Sequence, residues 1–392
     1  MDRSDQHGSL KRWASNSLEN SKGETSLASQ TKEEILARHD ANAALKTPLP
    51  GQITRHAKDL GADGMFSPLD ERIIAAASEA LEAGQTHYVD VPGIEPLREA
   101  IADYLNTSFS APCQSGNIIV TAGLQESRFL TTQKIGENFD SIAVPAVAHP
   151  GLQKALGVRA RNVVSLAVDP DRGYLPALDA IADAVAGGCR LLYLESPSRL
   201  SGAAYTSDEV TAIGQLLGES GASTIWDQGL APWVEGGCRS LASTEESPAQ
   251  VTAIGEAFPG MGLASWFIGY IAAPDDQIPA MQSQKQIMAI CTSTAAQYAA
   301  LEASSLFPAA HPPRLAQLRR AKSDITESAQ DLNLDVIAGE TLNILALRAS
   351  NEAAAKLRAA GFGCADGADF GAPAVIRLNV NTTTAEALPA LR

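Results

Sequence analysis

From about residue 67 onward, short apolar runs alternate with amphipathic stretches, and this alternation limits the possible folds more than any other feature of the chain. "NIIVTAG" is a short apolar run with β-branched residues closed by Gly123, as a buried strand is, and "SIAVPA", "NVVSLAV", "RLLYLESP", "STIWDQG" and "WFIGYIAAP" are further candidate strands. "SPLDERIIAAASEALEAG" and "PGIEPLREAIADYLNTSF" carry apolar residues at helical spacing behind Pro-containing starts. "LPALDAIADAVAGG" and "TSDEVTAIGQLLGESG" repeat that pattern between strands. Strands separated by helices predict an α/β fold: a mostly parallel sheet covered on both faces. In such sheets functional residues gather where strands end and loops begin.

The pattern changes near residue 315, where a long helix leads into strand-like "TLNILALRAS", helical "NEAAAKLRAAG", strand-like "AVIRLNV" and a last helix. This tail predicts a smaller α/β domain. The expected division is a polar N-terminal extension over 1–55, partly disordered or contacting a second subunit, a large domain over 56–310 and a small one over 311–392. With 392 residues and 45% hydrophobic content the chain can bury a sizeable core. Thirty basic residues against 45 acidic ones leave a formal charge of −15, which disfavours phosphate backbones and anionic lipid as partners. No apolar run approaches the roughly 18 residues that span a bilayer, and the polar start has no apolar core for a secretory signal. Five scattered cysteines form neither a disulfide framework nor a zinc pattern, and a reduced, cytoplasmic setting is expected.

Six segments, in order, resemble the class I/II aminotransferases of the fold-type-I pyridoxal-phosphate superfamily. They are "THYVDVPGIEPLREAIADYL", "IIVTAGLQES", "AVPAVAHPGLQKAL", "LLYLESPSRLSGAAY", "TIWDQGLAPW" and "LRAAGFGCADGADFGAPAVIRLNV". The resemblance implies aminotransferase fold type I, with a mostly parallel seven-stranded sheet in the large domain, and a homodimer whose pockets are shared between subunits. It puts Asp227 where a carboxylate pairs with the cofactor ring nitrogen and Arg377 where a guanidinium holds a substrate carboxylate. Gly123 falls in the phosphate-cradling turn, with Glu126 just after it, and Tyr88 where a tyrosine crosses the dimer interface. His149 stands at the ring-stacking position.

Other positions depart from the pattern. Arg199 replaces an Asn and Leu230 a Tyr that contact the ring oxygen; Glu256 replaces a phosphate-binding Ser and Phe267 a phosphate-binding Arg. The largest departure is Pro259, seven residues before Trp266, where the family carries its Schiff-base lysine. Proline has no side-chain amine and no backbone N–H, so it can neither form an imine nor carry a proton. After Asp227 only Lys285, Lys322 and Lys356 remain, and Lys285 lies in a predicted helix. Each altered charge near a phosphate is worth on the order of 1–4 kcal/mol at surface-like dielectrics. The reading from sequence is that no cofactor is expected, with pyridoxal or pyridoxamine phosphate held without a covalent link left open.

The emptied cleft still gathers acids and cations. The expected catalytic set is Asp227, His149 and Glu256; the expected substrate-binding set is Arg377, Arg199, Tyr88, Gly123 and Glu126; no metal is expected. Positioned acid/base groups contribute roughly 10² to 10⁴ in rate. That suffices for cyclisation, condensation, elimination or isomerisation of a small amino-acid-like or carboxylate substrate, in keeping with specialised, natural-product metabolism. A non-catalytic ligand-binding or regulatory homologue is the alternative, and an enzyme using the cofactor non-covalently a further one.

Overall fold

The computed structural model describes residues 58–63, 67–158, 162–243 and 250–392. The expected N-terminal extension over 1–55 lies outside these. Strands are β1 (Ile118–Ala122), β2 (Ser141–Pro145), β3 (Asn162–Leu166), β4 (Val168–Asp169), β5 (Leu175–Pro176), β6 (Leu191–Glu195), β7 (Ser223–Asp227), β8 (Val251–Glu256), β9 (Ile268–Ala272), β10 (Asp335–Ile337), β11 (Ile344–Arg348), β12 (Ala365–Asp366) and β13 (Val375–Asn379). Helices are α1 (Glu71–Glu82), α2 (Glu95–Phe109), α3 (Gly123–Lys134), α4 (Pro150–Gly157), α5 (Leu178–Ala186), α6 (Ser207–Ser220), α7 (Ile278–Met288), α8 (Thr294–Asp331), α9 (Ala353–Ala359) and α10 (Thr384–Ala387).

A seven-stranded sheet has the order β1-β9-β8-β7-β6-β2-β3. Strands β3, β2, β6, β7 and β8 run parallel, while β9 is antiparallel to both of its neighbours. Two antiparallel steps restore direction, so β1 points the same way as the parallel set. The carboxyl ends of β1, β2, β6, β7 and β8 therefore share one sheet edge. All six expected strands form. Sequence reading missed β8, whose Ala, Gly and Glu give a weak strand signal, although its first five residues are buried at the middle of the sheet.

Local chemistry sets the helix ends. Asp70 caps α1 through the Arg72 amide. Thr206 and Glu209 form a reciprocal capping box on α6, and Gly221 closes that helix in the left-handed conformation. The long helix begins at Thr294, well before the expected start, and continues through Pro308, Pro312 and Pro313. The second sheet has the order β10-β11-β13-β12, all antiparallel, and includes the two tail strands read from the sequence. Its apolar side packs with the later part of α8 through Leu318, Ile325, Leu345, Leu347 and Leu378.

Candidate active site

The first residue beyond β1 is Gly123, which opens α3 with a φ of +72°, a conformation that glycine adopts without steric cost. Glu195, Asp227 and Glu256 are the last residues of β6, β7 and β8. His149 follows β2, and Arg199 lies four residues past β6. A cavity of about 300 Å³ opens at this sheet edge. Gly123, Arg128, His149, Arg199, Glu256 and Pro259 are among the residues lining it.

Asp227 is fully buried and is not among the lining residues, whereas Arg128 is. Its Oδ2 accepts from Arg128 Nη2 at 3.0 Å and Tyr193 Oη at 2.7 Å, and its Oδ1 accepts from the Gly229 amide at 3.0 Å. Burial alone would raise the Asp227 carboxyl, but Arg128, then Arg199, hold it below its ordinary value. Burial likewise works against the Arg128 cation, and Asp227 more than restores it. Glu195 pairs in register with Asp227. Its two oxygens accept the His149 amide at 3.1 Å and the Arg199 amide at 3.2 Å, fixing the backbone of both residues. Burial, and next the Asp227 charge, push its carboxyl upward.

His149 is buried with both ring nitrogens engaged. Nδ1 accepts from the Gly151 amide at 3.0 Å, so Nε2 carries the proton and donates to Asp63 Oδ2 at 2.7 Å. Burial pushes its pKa down to about 4 despite the Asp63 hydrogen bond. For Asp63, partial burial works the other way, but the His149 hydrogen bond and then Arg377 hold it well below the usual carboxylate range. Arg377 is buried and gives Nη1 to the Arg199 carbonyl at 3.0 Å and Nη2 to Asp63 Oδ1 at 3.0 Å. It lines an adjoining cavity of about 540 Å³ that shares Asp63, Gln125 and His149 with the first.

Arg199 is only 2% exposed, yet its Nε and Nη1 have no hydrogen-bond partner. Its Nη2 lies 3.7 Å from Glu256 Oε1. Burial raises the Glu256 carboxyl, with Arg199 opposing. Asn343 also lines the cavity with its Oδ1 unpartnered. Glu126 is absent from the lining: its carboxylate holds Lys285 Nζ at 2.9 and 3.0 Å and accepts the Ala122 amide. Lys285 also donates to Thr292 Oγ1 and is wholly buried. Tyr88 lines neither cavity and is 77% exposed. Pro259 and Phe267 line the first cavity; Leu230 is buried in the core.

Of the residues singled out from sequence, Gly123, His149, Arg199, Glu256 and Pro259 line one cavity, whereas Asp63, Arg128, Glu195 and Asn343 were not singled out. The one signal for Arg128 was an arginine on a helix that follows a buried strand. Among the described residues no cluster of His, Cys, Asp or Glu has the arrangement of a metal site, and no helix is long and apolar enough to cross a membrane.

The probable aspartate/prephenate aminotransferase of Aquifex aeolicus is 28% identical over 64% of this chain and 67% of its own length. The aspartate/prephenate aminotransferase of Thermus thermophilus is 26% identical over 59% of this chain and 60% of its own. The chain thus spans about two thirds or less of the length of these relatives. Among solved structures, a tetra mutant of Thermus thermophilus aspartate aminotransferase matches with a TM-score of 0.78 at 24% identity, over 88% of this chain and 96% of that one. N-succinyldiaminopimelate aminotransferase from Mycobacterium tuberculosis matches with a TM-score of 0.78 at 20% identity, over 91% and 96%. These structures share the fold, aminotransferase fold type I.

These likenesses overturn the expectation that no cofactor is used, because pyridoxal phosphate is the group that an aminotransferase family implies for this cleft. The residues present do not fit that group as one joined to the protein at residue 259 and paired with Asp227. Residue 259 is proline, and Asp227 lies outside the cavity lining with Oδ2 engaged by Arg128 and Tyr193 and Oδ1 by the Gly229 amide. The family profile described as aminotransferase class I and II matches residues 60–392, and the chain belongs to that family.

Proposed function

We propose that this family member performs acid/base chemistry on a small amino-acid-like or carboxylate substrate, without an imine link at residue 259. The observation that carries the reading is one cavity wall holding Arg199, Glu256 and Pro259 together. Arg199 receives the substrate carboxylate by charge-assisted hydrogen bonds. Glu256, whose affinity for a proton is raised by burial, takes the proton from the reacting atom and returns it. His149 and Asp63 form the wall beside them; with both ring nitrogens engaged, His149 orients rather than transfers. Arg377 braces Asp63 and the Arg199 backbone. The reaction class is a cyclisation, condensation, elimination or isomerisation, in specialised metabolism and in the cytoplasm. A homodimer fits the 77% exposure of Tyr88 and the 61% exposure of Phe267 at the cavity mouth. Residues 56–310 and 311–392 are its large and small domains.

A second reading is favoured by the family match and by the amino end of α3 at Gly123 in the cavity wall: pyridoxal or pyridoxamine phosphate held without a covalent link. Proton NMR in D2O, with a panel of amino acids and with and without added pyridoxal phosphate, separates the two. The first reading expects one substrate to be converted to a product other than a 2-oxo acid, or to exchange a C–H proton, and Glu256→Gln to abolish it. Conversion to a 2-oxo acid only after pyridoxal phosphate is added would replace the first reading with the second.

A further inference from the structure

Three buried arginines line the cavities; Arg128 is paired with Asp227, and the fold treats the other two, Arg377 and Arg199, differently. Arg377 spends both terminal nitrogens on the protein: Nη1 on the Arg199 carbonyl, and Nη2 on the Gly61 carbonyl at 2.8 Å and on Asp63 Oδ1. It keeps only Nε unpaired. Arg199 makes no side-chain hydrogen bond among the described residues; Nε and Nη1 are sealed from solvent and unmet. A buried guanidinium with open N–H groups is costly, and in the free fold only the neighbouring carboxylate charges, Glu256 among them, offset that cost. The Glu195 carboxylate nevertheless clamps the Arg199 amide and so holds the residue in place.

The charge beside Arg199 narrows what can complete it. Glu256 Oε1 lies 3.7 Å from Nη2. A phosphate or dianion drawn to Arg199 meets that carboxylate and is repelled. A ligand with opposite charges on neighbouring atoms meets both partners at once. Asn343 adds an unmet acceptor on the same cavity, suited to an N–H donor. Trp233, Leu263, Phe267 and Ile268 supply an apolar wall, and about 300 Å³ leaves room for a side chain against it.

We infer that Arg199, and not Arg377, is the carboxylate receptor of this cavity, and that its ligand is a zwitterionic amino acid with an apolar side chain, its ammonium on Glu256. The inference rests on the proposed function for the site and for Arg199, and adds the exclusion of Arg377, the ammonium's partner and the apolar side chain of the ligand. Arg377 is a positioning residue that holds Asp63 and the Arg199 backbone.

Binding reads this without turnover. L-leucine, L-methionine and L-phenylalanine are titrated into the full chain, following tryptophan fluorescence, since Trp233 lines the cavity. At least one is expected to bind, with 3-phenylpropionate and phenethylamine at least tenfold weaker than L-phenylalanine. Arg199→Gln is expected to weaken binding tenfold or more, and Arg377→Lys less than threefold. A melting curve checks the fold of each variant. Should Arg199→Gln not fold, Arg199→Lys, which keeps the charge and loses the planar fork, is expected to bind several-fold more weakly. No binding by any of the three amino acids overturns the inference. So does wild-type affinity in the Arg199 variant that folds, or a loss confined to Arg377→Lys. Binding that depends on Arg199 without conversion of any substrate removes the proposed chemistry and leaves this assignment standing.

Discussion

Two charged clusters sit at the same sheet edge, one around Asp227 and one around Arg199, and they are finished to different degrees. Around Asp227 the network is closed: a cation, a phenol and a backbone amide meet the carboxylate, and all are buried. Around Arg199 it is open: two guanidinium nitrogens and the Asn343 oxygen have no partner, and the nearest acid stands at 3.7 Å. A closed buried network holds structure and resists removal of any member. An open one lowers the stability of the free fold and is satisfied from outside. The comparison teaches which of several acids and arginines at this edge to assign to a ligand, a distinction that residue type alone does not make.

The comparison breaks first, if it breaks, at Arg128. Arg128→Met leaves the Asp227 carboxylate buried without its counter-ion, and a loss of about 3–5 kcal/mol is expected in urea unfolding. An unchanged midpoint would mean that the cluster is not closed. Tyr193→Phe removes one hydrogen bond to the same carboxylate, for an expected loss of about 1.5–3 kcal/mol.

His149 sharpens the contrast through pH. Its folded pKa is about 4, below the ordinary 6.5, so between those values the unfolded chain binds a proton that the folded chain refuses. Stability therefore falls as pH is lowered from 6.5 toward 4. His149→Gln is expected to make the unfolding free energy less steep across that window by up to one proton; an unaltered slope would count against the buried neutral ring. The smallest effect belongs to the open cluster. Arg199→Gln removes a cation that makes no side-chain hydrogen bond, and a change within about 1 kcal/mol is expected. A loss as large as that of Arg128→Met would erase the difference between the clusters.

Much of this fold was legible because it depends on local pattern. Short apolar runs between helical stretches marked six strands of the large sheet and two of the small one. Strand β8 escaped because "VTAIGE" mixes good and poor strand formers, and its place is set by the neighbours it pairs with. The reversal of β9 has no local signature at all. At the site, Glu256, Arg199 and Pro259 were readable as departures from a family pattern. Arg128 was not, because its role comes from lying across from Asp227, 99 residues away. Arg377 and Asp227 kept the family's residue types, yet their hydrogen-bonding capacity is largely spent within the protein, which only the three-dimensional arrangement reveals.

The central proposal is that, with proline at residue 259, no amine in this cleft forms an imine. The most direct measurement incubates the full chain with pyridoxal phosphate, reduces it with borohydride, and maps pyridoxyl-lysine by peptide mass spectrometry. The account predicts no modified lysine in any cleft peptide, Lys285 included, since its ammonium is buried against Glu126. A stoichiometric pyridoxyl group on Lys285, or on any other lysine reaching the cavity, would contradict it.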